Sequence, residues 1–350
     1  MHNTSRIEKV VEASISSVWR HLDLAPFIGK NIFITGGTGF FGFWLLAALA
    51  RINIITVETT VTILSRDPSA FLSKNPQWCD LPWLNFIAGN VRDFTFPTGS
   101  YDYIIHAATD TSNAAHSNPA RLFDDIVLGT KRIYEFARAA EVKRVLLISS
   151  GAVYGPQPED LTHIPDNASF ACNTGIASSA YGEGKRVMEL LGSINNQQYG
   201  IESVVARCFA FVGPGLPLDG HFAIGNFIRD ALFADAITVK GDGTAVRSYL
   251  YGADLAIWLL QILAKGENGE SYNVGSDESI SIGELAVLVR DLLAPAKDVL
   301  IERQPYKVDQ DRSRYVPAIE MANKSLNLSS WTSLEESIRM SAYFIGLETK

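Results

Sequence analysis

Tyr181 and Lys185 are four residues apart in the run Tyr181-Gly182-Glu183-Gly184-Lys185. If that stretch is helical, both side chains share one face. A phenol with a pKa of about 10 is a poor acid–base group at neutral pH. An ammonium beside it stabilises the phenolate and brings the pKa toward the working range. Tyr181 and Lys185 therefore suit proton transfer. Ser150 ends the run Leu147-Ile148-Ser149-Ser150, ahead of Gly151-Ala152-Val153-Tyr154-Gly155, and can hydrogen-bond the oxygen that Tyr181 serves. Ser150, Tyr181 and Lys185 form the candidate catalytic set.

A second constellation has the character of a binding site. Thr35 leads into Gly36-Gly37-Thr38-Gly39-Phe40-Phe41-Gly42, and a helix-like apolar run follows at once. The spacing is G-x-x-G-x-x-G. Gly36 permits a tight turn, Gly39 lets the backbone approach a pyrophosphate, and Gly42 allows close packing of helix on strand. The helix N-terminus then faces the anion. Strand, glycine turn and helix in this order predict dinucleotide binding through Gly36, Gly39, Phe40, Phe41 and Gly42. At the next strand end, Leu64-Ser65-Arg66-Asp67, Ser65 stands where an NAD-selective fold carries an acid for the ribose hydroxyls. Arg66 can pair with the 2′-phosphate of NADP or stack on adenine. Ser65 and Arg66 favour NADP(H), with NAD(H) as the alternative. The run Ile104-Ile105-His106-Ala107-Ala108-Thr109 ends in small residues, so Ala107 and Ala108 can lie against the cofactor, and an oxidised nicotinamide near Tyr181 and Lys185 would further lower the phenol pKa.

These residues need elements to hold them. Apolar runs at 31–35, 61–65, 84–88, 103–106, 144–149 and 203–206 alternate with helical patterns. The alternation predicts βαβ units, a parallel sheet and a Rossmann α/β fold. The runs are almost continuously apolar, as in strands covered by helices on both faces. Gly213 to Asp219 is rich in glycine and proline and marks a boundary. The expected organisation is a helical extension over 1–30, a doubly wound dinucleotide-binding domain over 31–213, and a smaller α+β substrate lobe over 214–350. Part of that lobe, about 247–275, is expected to return to the sheet. In the extension, Ile7, Val10, Val11, Ile15, Val18 and Trp19 read as one face of an amphipathic helix, not a signal peptide.

Composition narrows the function classes. The 350 residues are 47% hydrophobic and 19% charged, which suits a large packed α/β core. A net charge of -8 and a pI near 5.3 argue against a nucleic-acid partner. Cys79, Cys172 and Cys208 lack zinc-site spacing and cannot all pair with one another, which fits a reducing cytoplasm and no metal. The apolar stretch from Phe40 to Ile55 is interrupted by Gly42, Arg51 and Asn53 and is too short to predict a membrane span.

In order, these motifs resemble the extended short-chain dehydrogenase/reductase family, and within it the nucleotide-sugar branch. The resemblance runs from about Asn31 to near Tyr343. It includes Gly89-Asn90-Val91-Arg92-Asp93, Arg207-Cys208-Phe209-Ala210-Phe211-Val212-Gly213-Pro214, Gly241-Asp242-Gly243 through Arg247, and Tyr272-Asn273-Val274-Gly275. It implies that Ser150, Tyr181 and Lys185 are catalytic and that Asn90 and Val91 flank adenine. It also implies that Arg247, with Arg312 or Arg314, holds a substrate diphosphate.

Departures from the family pattern select among its reactions. Its 4,6-dehydratases follow the catalytic threonine with Asp-Glu, whereas Gly151-Ala152 follow Ser150 here. Ala210 and Ile126 stand where many relatives have asparagine. His106 and His116 have no carboxylate or second histidine at metal spacing and read as structural. The expected activity is NADPH-dependent reduction of the C4 keto group of a nucleoside-diphosphate 6-deoxyhexose. A 4-epimerase with tightly bound NAD needs the same three residues and is the alternative. A non-catalytic NADP(H)-sensing protein is more remote, since all three residues are kept. A homodimer is compatible with each reading.

Overall fold

The computed structural model describes residues 4–56, 58–220, 222–302 and 314–348. The six apolar runs become β1 (Asn31–Thr35), β2 (Thr60–Ser65), β3 (Leu84–Ala88), β4 (Tyr103–His106), β5 (Arg144–Ser150) and β6 (Glu202–Cys208). Shorter strands follow: β7 (Phe211–Val212), β8 (Ala236–Val239), β9 (Val246–Arg247), β10 (Leu250–Tyr251), β11 (Ser271–Val274), β12 (Ile280–Ser281), β13 (Asp298–Ile301) and β14 (Arg314–Tyr315). The main sheet has the order β11-β6-β5-β4-β1-β2-β3, and every pairing in it is parallel. This is the Rossmann doubly wound sheet. Chain direction across the sheet reverses between β1 and β4, so a crevice opens there at the strands' C-terminal ends.

Helices cover both faces. The helices are α1 (Thr4–Val18), α2 (Phe40–Thr56), α3 (Pro68–Lys74), α4 (Asn113–His116), α5 (Pro119–Ala139), α6 (Ala180–Tyr199), α7 (Ala223–Phe233), α8 (Gly252–Lys265), α9 (Ile282–Leu293), α10 (Glu320–Leu326) and α11 (Leu334–Glu348). On one face, Trp44, Leu45 and Leu49 of α2 and Ile257, Trp258 and Leu260 of α8 share a buried cluster with Val11 and Ile15 of α1. On the other, Ile126, Ile133 and Phe136 of α5 and Met188 of α6 pack on Phe33, Leu147 and Val205. A further cluster of Ile224, Phe227, Ile237, Val239, Leu285, Val289 and Ile338 joins α7, α9, α11 and β8.

The extension has a packing explanation. Val10, Val11, Ile15 and Val18 are buried, and Ser14 Oγ lies 2.9 Å from Tyr251 Oη. The helix therefore seals the back of α2 and α8. Among the described residues no helix is long and apolar enough to cross a membrane.

Candidate active site

The β1–α2 turn is tight because its glycines leave no alternative. Gly36 has φ +73, and a Cβ on it would lie 2.5 Å from the Ala107 carbonyl oxygen. A Cβ on Gly42 would lie 2.1 Å from the Gly37 carbonyl, so Gly42 seats the helix on the turn itself rather than on the strand. Gly39 differs: it is exposed, and a Cβ there would meet only Gly36 O at 3.6 Å. Packing within the chain does not demand glycine at 39, whereas an anion resting on that backbone would. Phe43 N–H donates to Gly39 O at 2.8 Å, so the N–H groups just before it have no intrahelical acceptor. A pyrophosphate fits this cradle. Phe40 and Phe41 are half-buried at the helix start, Phe41 against Phe211.

The neighbouring strand ends supply the other walls. Gly89 N–H donates to Ser65 O, which sets Asn90 just past the end of β2, while the Val91 side chain packs at Gly129 of α5. Ser65 is buried, and Asp67 caps α3 by accepting from Ala70 N–H at 2.9 Å. Arg66 is exposed, with Nη2 3.9 Å from Asp110 Oδ2. Ala107 and Ala108 are fixed on β1, their N–H groups donating to Thr35 O and Thr35 Oγ1.

His106 lies behind them, fully buried and held to a pKa of about 3 by burial and then by the Lys185 charge. Its partners assign its tautomer. Thr130 donates to Ile126 O at 2.7 Å, so Thr130 Oγ1 accepts from His106 Nε2–H at 3.2 Å. Thr35 Oγ1, 2.8 Å from Nδ1, then donates to that nitrogen. His106 is a neutral brace under the cofactor crevice, as the sequence suggested.

Ser150 is the last residue of β5, and its Oγ accepts from Ala152 N–H at 3.1 Å. Tyr181 and Lys185 lie in the first turns of α6, and the two glycines between them let the helix approach its neighbours. A Cβ on Gly182 would lie 2.5 Å from Cys172 Sγ, and one on Gly184 would lie 3.1 Å from Ile126 Cδ1. Ile126, where many relatives have asparagine, thus supports the helix from below. Lys185 is buried and donates to Thr109 Oγ1 at 2.8 Å and Ile148 O at 2.7 Å. Burial pulls its pKa down to about 8. Lys185 Nζ is 5.9 Å from the centre of the Tyr181 ring, and the His116 ring meets that ring edge-on at 5.5 Å. His116 is exposed at the site, unlike the buried brace His106.

The space after Ser150 is occupied. A Cβ on Gly151 would lie 2.7 Å from both Phe209 Cζ and Tyr315 Oη. Tyr315 is buried, 3.5 Å from Ser150 Oγ, and arrives on β14 of the β12-β9-β14 sheet. Register separates the two described candidate arginines. Tyr315 pairs in parallel with Arg247, and Arg314 with Val246. Paired residues of parallel strands share a face and successive residues alternate, so Arg247 is on the face of Tyr315 and Ser150 while Arg314 is on the other. Arg312 lies outside the described residues. Thr109, Tyr315 and Phe209 at the site were not singled out from sequence; each is placed by a contact between distant segments.

A model of the NAD dependent epimerase/dehydratase family matches residues 32–275. The chain belongs to that family. Among its relatives is UDP-glucuronic acid decarboxylase 6 of Arabidopsis thaliana, 30% identical over 314 residues that cover 88% of this chain and 86% of that one. The fold matches UDP-glucose 4-epimerase of Thermotoga maritima, solved with UDP-glucose, at a TM-score of 0.77 and 21% identity over 91% of this chain and 100% of that one. It also matches RMD of Pseudomonas aeruginosa, solved with NADPH, at 0.72 and 23% over 91% and 99%. A nicotinamide cofactor goes with membership of this family.

Proposed function

We propose that this family member is a reductase that uses NADPH to reduce the C4 keto group of a nucleoside-diphosphate 6-deoxyhexose. The observation that carries the reading is the end of β2. Ser65 is buried, Asp67 is engaged in capping α3, and Arg66 is exposed toward solvent. A cationic edge whose neighbouring carboxylates are engaged, Asp67 in capping α3 and Asp110 in a 3.9 Å pairing with Arg66, suits a 2′-phosphate and therefore the reduced NADP pool. The Gly151 contact supports the same reading: Phe209 and Tyr315 fill the space that an elimination acid at 151 would need.

Gly36, Gly39, Gly42, Phe40 and Phe41 would hold the dinucleotide phosphates, Asn90 and Val91 the adenine, and Ala107 and Ala108 the flank. When bound, the nicotinamide supplies the hydride. Tyr181 gives its phenolic proton to the C4 oxygen as that oxygen becomes an alkoxide. Lys185, cationic below about pH 8, stabilises the phenolate left behind. Ser150 donates to the same oxygen, its Oγ oriented by Ala152 N–H. Arg247 takes the diphosphate, while Arg314 faces away from it and Arg312 is assigned by resemblance alone.

The test is a panel of 4-keto nucleotide sugars with NADPH and NADH, beside UDP-glucose and UDP-glucuronic acid without added cofactor. The expected result is NADPH consumption with a 4-keto sugar. Redox-neutral interconversion of two nucleotide sugars would establish the epimerase instead, and carbon dioxide from UDP-glucuronic acid a decarboxylase. Dinucleotide binding without turnover of any compound would leave the sensor.

A further inference from the structure

One buried ionic group near the site has no part in the reaction. Glu189 lies one helical turn beyond Lys185 on α6, and its carboxylate is gripped by Arg207 of β6. Arg207 Nη2 and Nε donate to it at 2.7 and 3.1 Å, with both side chains about 15% exposed. The other oxygen contact comes from the catalytic strand, where Ser149 Oγ donates to Glu189 Oε1 at 2.5 Å. Ser149 immediately precedes Ser150, and side chains alternate along a strand, so the two serines face opposite ways.

Arg207 is itself held from behind. Its Nη1 donates to Tyr154 Oη at 2.8 Å and to Asp166 O at 3.0 Å. Tyr154 in turn donates to Asn273 Oδ1 on β11, and Asn273 Nδ2 donates to Ile164 O and Ala318 O. A buried ion pair seldom stabilises a fold by much, because desolvation offsets the attraction. What such a pair does supply is direction, since each donor fixes where the carboxylate can sit.

We propose that Glu189 is a positioning residue: clamped by Arg207 and tied by Ser149, it fixes the helix carrying Tyr181 and Lys185 against the strand carrying Ser150. The inference rests on the assignment of Tyr181 and Lys185 as the proton-transfer pair. Only its kinetic arm depends on the reductase reading.

Ser149→Ala is the cleanest perturbation. It removes the strand tie and leaves the Glu189–Arg207 pair whole, whereas changing either charge would strand the other and threaten folding. The direct readout is the titration of Tyr181, followed by phenolate absorbance in the NAD+ and NADP+ complexes with Tyr181→Phe subtracted. The charged or titratable groups facing this pair are His116 beside Tyr181, and Glu189, His106 and Cys208 near Lys185; His106 is neutral and burial keeps Cys208 a thiol. Of these, Ser149→Ala touches Glu189 alone, which loses one donor and keeps Arg207.

If the helix slides by about 1 Å while Ile148 O on β5 keeps its hold on Lys185 Nζ, Tyr181 draws away from the ammonium and its pKa rises by about half a unit. The catalytic constant for a sugar that wild type turns over should fall about ten-fold, with cofactor affinity and melting temperature nearly unchanged. An unmoved Tyr181 titration overturns the proposal whatever the rate does. So does an equal shift in Ser193→Ala, which removes a hydroxyl that donates to the Glu189 main-chain carbonyl. If no 4-keto sugar is turned over, the reductase reading fails while the titration still decides this one.

Discussion

Replacing Lys185 by methionine should abolish turnover and yet make the cofactor-free protein no less stable at pH 7. The buried ammonium has its pKa pulled from 10.5 down to about 8. That difference corresponds to about 3 kcal/mol against holding the charge in the folded protein. Methionine, one atom shorter, replaces the apolar stem and its packing without the charge. Against this, Ile148 O loses its Lys185 donor, a cost of about 1–3 kcal/mol for a buried carbonyl. Thr109 is half-buried and can turn to water. The balance at pH 7 is a change of about 0 to 2 kcal/mol in favour of the variant.

The sign against pH makes the argument testable. Between about pH 8 and 10.5 the unfolded chain holds a proton on Lys185 that the folded chain has released, so wild-type stability rises with pH through that window. The variant lacks this rise. Urea unfolding of both proteins at pH 7 and near 10.5 should show the variant's relative advantage shrinking by about 3 kcal/mol at the higher pH. A stability difference that is the same at both values would mean that the ammonium is not desolvated, and the account of Lys185 would fail.

Four further outcomes follow from the same geometry. Tyr181→Phe should lower turnover by about two to four orders of magnitude in steady-state assays, with cofactor affinity almost unchanged. Arg247→Ala should weaken the nucleotide sugar about ten- to a hundred-fold, measured as binding or Michaelis constant, whereas Arg314→Ala on the opposite face should leave it nearly untouched. Arg66→Ala should cost NADPH a similar factor and spare NADH in fluorescence titrations at fixed ionic strength; equal weakening of both would make Arg66 an adenine-stacking residue. Gly42→Ala should weaken both dinucleotides and lower the melting temperature, since its methyl would enter the Gly37 carbonyl.

How legible each part was depends on how local its cause is. β1 to β6 were readable because a strand covered on both faces must be apolar throughout, and the runs at 31–35, 84–88 and 103–106 match the observed strands. The glycine turn was readable because Gly36 and Gly42 answer to clashes within a few residues or with the adjacent strand end. The two-residue strands β7, β9, β10, β12 and β14 have no period of their own, since two residues cannot show one. They exist because distant segments pair: β9 with β12 and β14, β7 with β10.

That distinction explains the arginines and the aromatic wall. By family resemblance Arg247, Arg312 and Arg314 form one group of cations. Yet a side chain's direction on a short strand is set by its register with a partner, and the Arg247–Tyr315 pairing sends Arg247 and Arg314 to opposite faces. The same register carries Tyr315 to Ser150, 165 residues away in sequence. Gly151 is the local trace of that arrival. Read alone it is a missing acid; read with Tyr315 and Phe209 it is a residue that must stay small because the other lobe has taken its space. Placing an acid there, as in Gly151→Asp, would therefore push Tyr315 away from Ser150 before it could supply elimination chemistry, so loss of whatever turnover the wild type shows without gain of a dehydratase is the result that this packing requires.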